Sequence, residues 1–193
     1  MAALDNLIKA AYSPAEVRRH LSLGKGRDRL DAVAAVGREI LEHVPLGGGT
    51  CAHLSALWTA QTRDRLGVPA YCVAGDLLAR GRVVFGVGRD DLSTAFDNSN
   101  PAWDGHCWMH VGGFVGDLSV FRTAYSAHAP KALRDLVLAR FGEGRGLYLA
   151  TPSAAEEDGL SYVAKYVLTE TQITGLVLGA REMFAPGEPP NDS

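Results

Sequence analysis

Apolar and polar residues change their period along the chain, and the changes mark its parts. In the first 45 residues the apolar positions recur at i, i+3 and i+4, the spacing of helices that bury one face. Ser13-Pro14-Ala15-Glu16 reads as a helix start, with a capping serine, a proline at the first helical position and a glutamate three residues on. A longer helix is predicted over Asp28 to His43, with Leu30, Val33, Val36, Ile40 and Leu41 on its apolar face. Pro45 stops it. A glycine turn at 47–49 and Thr50 lead to Cys51, which opens another helix carrying Leu54, Leu57 and Trp58. Gly67-Val68-Pro69 ends that helix.

The period then shortens. Ala70 to Leu78, Arg82 to Val87, Gly105 to Val111 and Phe114 to Phe121 read as strands. Gly112-Gly113 makes a two-residue hairpin loop between the last two. Pro130 to Arg140 returns to helical spacing, and Leu147 to Ala150 reads as a short strand. Ser161 to Leu168 fits strand and helix equally, and Thr171 to Phe184 is predicted helical. Helices, then hairpin-linked strands, then helices again predict an α+β fold, not a doubly wound parallel sheet. We expect one domain over residues 1–184 and a flexible, proline-rich tail at 185–193.

Composition narrows the function. The chain has 193 residues, 47% of them apolar, enough for a sizeable core, and a net charge of -3. It lacks the basic excess of a nucleic-acid binder or of a protein held to anionic membranes. No apolar run reaches the length of a spanning helix, about 18 residues, and the charged start does not read as a signal peptide. Three cysteines are too few for a disulfide framework, so we expect reduced thiols in a cytoplasmic protein.

One of those thiols is placed for chemistry. At a helix N-terminus, unpaired backbone N–H groups and the positive end of the dipole favour a thiolate at Cys51. The same N–H groups suit an oxyanion. A thiol nucleophile needs a base, and the base an orienting partner. If Gly112-Gly113 is a two-residue turn, Val111 pairs with Phe114 and Trp108 lies opposite Asp117. His106, Trp108, His110, Asp117 and Ser119 then share one face, because side chains alternate along a strand. His106 and Asp117 become diagonal neighbours, roughly 7–8 Å apart along the backbone. His110 shares the face but has Val115 opposite, so His106 is the preferred base. His53 points away from Cys51, since i and i+2 do not face each other on a helix.

Cys107 points to the opposite face from His106 and His110. With no CxxC or HExxH spacing, a metal site is not expected, and no cofactor motif is recognisable. Trp103 and Trp108 flank His106, and Trp108 has the better claim to wall an acyl pocket because it shares the face. Thr50 and His110 join it as candidate substrate-binding residues.

Three blocks resemble the transglutaminase-like branch of the papain-like thiol superfamily. They are Gly49-Thr50-Cys51 with the helix behind it, Arg65-Leu66-Gly67-Val68-Pro69-Ala70-Tyr71-Cys72-Val73-Ala74-Gly75, and Gly105-His106-Cys107-Trp108 through Asp117. Together they span about residues 47–120. The resemblance implies a nucleophile helix packed on an antiparallel sheet, with extra terminal helices. It implies Cys51 as nucleophile, His106 as base and Asp117 as orienter, acting on a peptide, protein or small-molecule amide. His110 stands where the family often has an acid, and Leu118-Ser119 replaces a Pro-Thr type ending, so the substrate class stays open. Two alternatives are a catalytically silent scaffold of this fold that binds a partner, and an acyltransferase like the arylamine N-acetyltransferases.

Overall fold

The computed structural model describes residues 2–22, 27–45, 51–88 and 91–184. The glycine turn at 47–49, Thr50 and the tail at 185–193 lie outside the described residues. Three helices lead the chain: α1 (Ala2–Ala11), α2 (Pro14–Ser22) and α3 (Arg27–His43). Ser13 and Glu16 close a capping box before α2: the Ser13 N–H donates to Glu16 Oε2 at 3.0 Å, and the Glu16 N–H to Ser13 Oγ at 3.4 Å. Then come α4 (Cys51–Leu66), β1 (Ala70–Ala79), β2 (Arg82–Phe85), α5 (Leu92–Ala95), β3 (His106–Val111) and β4 (Phe114–Asp117). The chain continues through α6 (Val120–Tyr125), α7 (Lys131–Phe141), β5 (Tyr148–Ala150), α8 (Pro152–Glu157), β6 (Leu160–Val167) and α9 (Glu170–Phe184).

The result is α+β, with one six-stranded antiparallel sheet among the described residues. Both tight hairpins use two residues with positive φ, Arg80-Gly81 and Gly112-Gly113. That is the turn whose twist matches paired strands. It holds the predicted register, with Val111 opposite Phe114 and His110 opposite Val115.

β1 organises the sheet. Val73–Ala79 pairs with β6 along one edge. β3 pairs with Ala70–Gly75 and β2 with Leu77–Ala79, so these two share the other edge in succession. A break therefore opens between the end of β2 at Phe85 and the start of β3 at His106. Gly75 lies opposite His106 at this break, and a Cβ there would meet the Val163 carbonyl oxygen at 2.0 Å. A side chain at 75 would therefore push β6 off β1.

Helices cover both faces. α4 lies on the face of Cys107, Met109 and Val111, flanked by α3 and α9. Ala52 to Ala56, Trp58, Thr59 and Thr62 are all buried, so α4 is a central helix. Its Trp58 is core: the indole N–H donates to the Val33 carbonyl at 2.9 Å, and the ring fills the space left by Gly37 and Gly116. On the other face α1 and α2 cover Tyr71, Val73 and Trp108. α6, α7 and α8 cover Leu77, Ala79 and Leu160.

One expectation needs correction, and one open reading is decided. The strand predicted over Phe114 to Phe121 ends at Asp117, because the Asp117 carboxylate takes the Ser119 and Val120 N–H groups and turns the chain into α6. The ambiguous stretch at 161–168 is strand β6, held by its pairing with β1. No helix among the described residues is long and apolar enough to cross a membrane.

Candidate active site

Cys51 is the first residue of α4, where the helix's leading N–H groups have no intrahelical acceptor. His106 is the first residue of β3 and Asp117 the last of β4. The hairpin register brings the last two together. The His106 Nε2–H donates to Asp117 Oδ2 at 2.6 Å, with the two side chains 2% and 0% exposed. That leaves Nδ1 as the imidazole atom for the Cys51 thiol, which lines the same cleft and is close enough to shift the ionisation of His106. Cys51 lies on the α4 side of the sheet and His106 on the other, and they meet at the break between β2 and β3.

Asp117 is saturated with donors. Oδ2 also accepts from the Tyr162 hydroxyl at 3.1 Å. Oδ1 accepts from the Ser119 N–H and hydroxyl, each at 2.8 Å, and from the Val120 N–H at 3.0 Å. Burial by itself would push this carboxyl up; His106 and the Ser119 donors overcome it and hold it below the usual range. His106 mirrors this. Burial disfavours its cation, but the Asp117 and Cys51 charges win and raise it to about 10. The Cys51 thiol is drawn well below its ordinary value by a hydrogen bond from the Cys107 thiol, against burial, and further by His106 and the Cys107 backbone N–H. Both shifts favour a Cys51 thiolate beside a His106 imidazolium.

Aromatic rings fix the imidazole. Phe85 stacks on it at 5.7 Å between centroids, a consequence of β2 ending where β3 begins. Trp108 lies at 6.5 Å and Tyr162 at 6.2 Å. A cleft of about 220 Å³ opens over Cys51 and His106, walled by Phe85, Pro101, Trp103 and Thr123, with the exposed Asp104 at its rim.

Not every predicted site residue is there. Trp108 is 1% exposed and packs on Tyr162, Ile8 and Tyr12; it does not line the cleft. Trp103 does, because its ring lies over the bare backbone of Gly105. Sharing a face with His106 places Trp108 under α1 and α2 instead of in the opening. His110 is buried between Tyr71 and Val115, two pleats from His106 and away from the cleft. His53, set aside in the sequence reading, does line the cleft, anchored by its Nε2–H to the Ser99 carbonyl at 2.8 Å.

Phe85, Tyr162 and Cys107 enter the site unforeseen. Tyr162 was hidden by the ambiguity of its segment. The signal for Cys107 was available: its face, opposite to that of His106, is the face that α4 covers. No group of three His, Cys, Asp or Glu side chains among the described residues is arranged to hold a metal ion. The chain matches no protein-family model, no curated protein and no solved structure.

Proposed function

We propose that this protein is a cysteine-dependent acyl-group enzyme, an amide hydrolase or transamidase, on a papain-like, transglutaminase-like core. One observation carries the reading. The buried 2.6 Å bond from His106 Nε2 to Asp117 Oδ2 commits one imidazole nitrogen to the acid and leaves the other for Cys51 at the start of α4. A histidine that merely filled a core would not need a fully saturated carboxylate behind it and a thiol in front. The order Cys51, His106, Asp117 and the three blocks resembling the transglutaminase-like branch agree with it.

The chemistry follows from the groups in place. The Cys51 thiolate attacks the substrate carbonyl carbon, and the leading N–H groups of α4 stabilise the oxyanion. His106 gives its Nδ1 proton to the leaving nitrogen, and a thioester remains on Cys51. Water or an amine then attacks the thioester while His106 takes the proton back. Asp117 keeps its carboxylate throughout and fixes the ring's orientation and tautomer. Drug-sized ligands fill pockets of about 300–1,000 Å³. A cleft of about 220 Å³ with aromatic walls suits a small acyl group or a single side chain of a larger substrate.

The test is the covalent intermediate. Incubation with an activated ester, quenched in acid and read by intact mass, should show one acyl group on Cys51. Cys51→Ala should show none, and His106→Ala should slow acylation by roughly 10³-fold or more. An acyl group appearing equally on Cys72 or Cys107, or none on Cys51, would overturn the proposal.

A further inference from the structure

The three cysteines of the chain, far apart in sequence, converge beneath the start of α4. Cys107 lies opposite Ala74, and Cys72 opposite Met109, so the two are diagonal neighbours on β3 and β1. Both face α4 and are fully buried, and Cys51 packs onto the same cluster. Cys51 and Cys72 each lie close enough to Cys107 to shift its ionisation. None is bridged. Acyl transfer uses Cys51 alone and gives the thiol of Cys107 no step of its own. Yet a second thiol touches the nucleophile from the side away from the cleft.

Access divides the cysteines into roles. Cys51 is partly exposed and lines the cleft, so a small oxidant reaches it first. Cys72 and Cys107 have no exposed surface. Burial also pushes the Cys107 thiol well up, which keeps it protonated and slow toward oxidants. This is the arrangement of a peroxide-sensitive thiol with a resolving thiol beside it.

We propose that Cys107 is the resolving thiol of Cys51, so that a hydroperoxide converts the site into a reversible Cys51–Cys107 disulfide. The proposal rests on Cys51 being the thiolate nucleophile of the function proposed above. In the first step the thiolate sulfur attacks the peroxide's terminal oxygen, the O–O bond breaks, and a sulfenic acid forms as the alkoxide or hydroxide leaves and takes the His106 proton to become the alcohol or water. The sulfur loses two electrons and the peroxide gains them. In the second step the Cys107 sulfur attacks the Cys51 sulfur and the S–O bond breaks. Hydroxide leaves and takes up the Cys107 proton as water. The sum is two thiols and one hydroperoxide giving a disulfide, water and an alcohol (or a second water). A dithiol reductant reverses it. The disulfide withdraws the nucleophile from acyl transfer and protects it from irreversible oxidation.

The experiment treats the full chain with a limiting amount of hydrogen peroxide, blocks remaining thiols, digests without reductant and maps linked peptides by mass spectrometry. The expected result is a Cys51–Cys107 linkage, a fall from three titratable thiols to one, and loss of acylation that dithiothreitol restores. In Cys107→Ser, a sulfenate trap should label Cys51, and sulfinic acid should accumulate roughly tenfold more than in wild type. Cys72→Ala should keep the linkage. A wild-type Cys51 that alkylates rapidly but gives only sulfenic and sulfinic acid sinks this proposal and leaves the enzyme reading standing. A linkage to Cys72 or to a second chain also sinks it. A Cys51 that neither alkylates nor oxidises would overturn both. The wild-type linkage decides the matter even if Cys107→Ser does not fold.

Discussion

Asp117→Asn separates charge from shape at the centre of the site. The carboxylate accepts five hydrogen bonds, two at Oδ2 and three at Oδ1. An amide must turn its NH₂ toward one set or the other. Turned toward Oδ1's partners, it faces the backbone N–H groups of Ser119 and Val120, and two buried donors lose their acceptor. Each such loss costs about 1–3 kcal/mol. Turned toward Oδ2's partners, it faces His106 Nε2–H. The ring escapes that clash by carrying its proton on Nδ1, and it then cannot take a proton from Cys51. Removing one partner of a buried ion pair typically costs about 3–5 kcal/mol. We therefore expect Asp117→Asn to lose about 4 kcal/mol from a total of about 5–15. Urea unfolding at neutral pH measures this. The wrong tautomer should slow acylation by roughly 10³–10⁴-fold, and alkylation of Cys51 near pH 6 should slow by at least roughly tenfold as the imidazolium is lost. A variant within about 1 kcal/mol of wild type that keeps its alkylation profile would refute the reasoning.

Two further predictions follow from the same groups. His106 is raised to about 10, so its contribution to stability is complete below its unfolded value of about 6.5 and is lost as pH rises toward about 10. Cys51 is lowered, so its contribution grows with pH up to the unfolded thiol value of about 8.5 and offsets that loss. The stability of wild type in urea should therefore drop between about pH 8.5 and 10, with His106 contributing at most about 1.4 kcal/mol per pH unit and the buried Cys107 thiol, held protonated, adding to the loss. In His106→Ala the drop should become shallower, leaving the share from Cys107, and a wild-type stability flat across the window would contradict the assignment. The two tryptophans should part company. Trp108→Ala should cost about 3–5 kcal/mol in chemical denaturation, whereas Trp103→Ala should barely move stability and should raise KM for an aromatic or branched acyl ester. Equal losses of stability in both would contradict their placement.

Local chemistry explains which parts of this fold were legible in the sequence. The capping box at Ser13, the stop at Gly67-Val68-Pro69 and the Gly112-Gly113 turn each act within a few residues, and all appear as read. The turn alone fixed which residues share a face, and so brought His106 to Asp117. What depended on distant partners was not legible. Ser161–Leu168 reads as strand or helix by itself and becomes β6 only because β1 has a free edge. Alternation showed that Trp108 shares the face of His106, but it could not show that α1 and α2 cover that face. The early end of β4 was encoded by Asp117 and Ser119, a turn signal overlooked inside an apolar run.

The most direct test is the pH dependence of alkylation at each cysteine, read by mass spectrometry, in wild type and in His106→Ala. Cys51 should react far faster than Cys72 and Cys107 at neutral pH, with its profile midpoint well below the ordinary thiol value of about 8.5. His106→Ala should move that midpoint up toward 8.5 or beyond. A Cys51 that titrates like an ordinary thiol, or one indifferent to the loss of His106, would contradict the account.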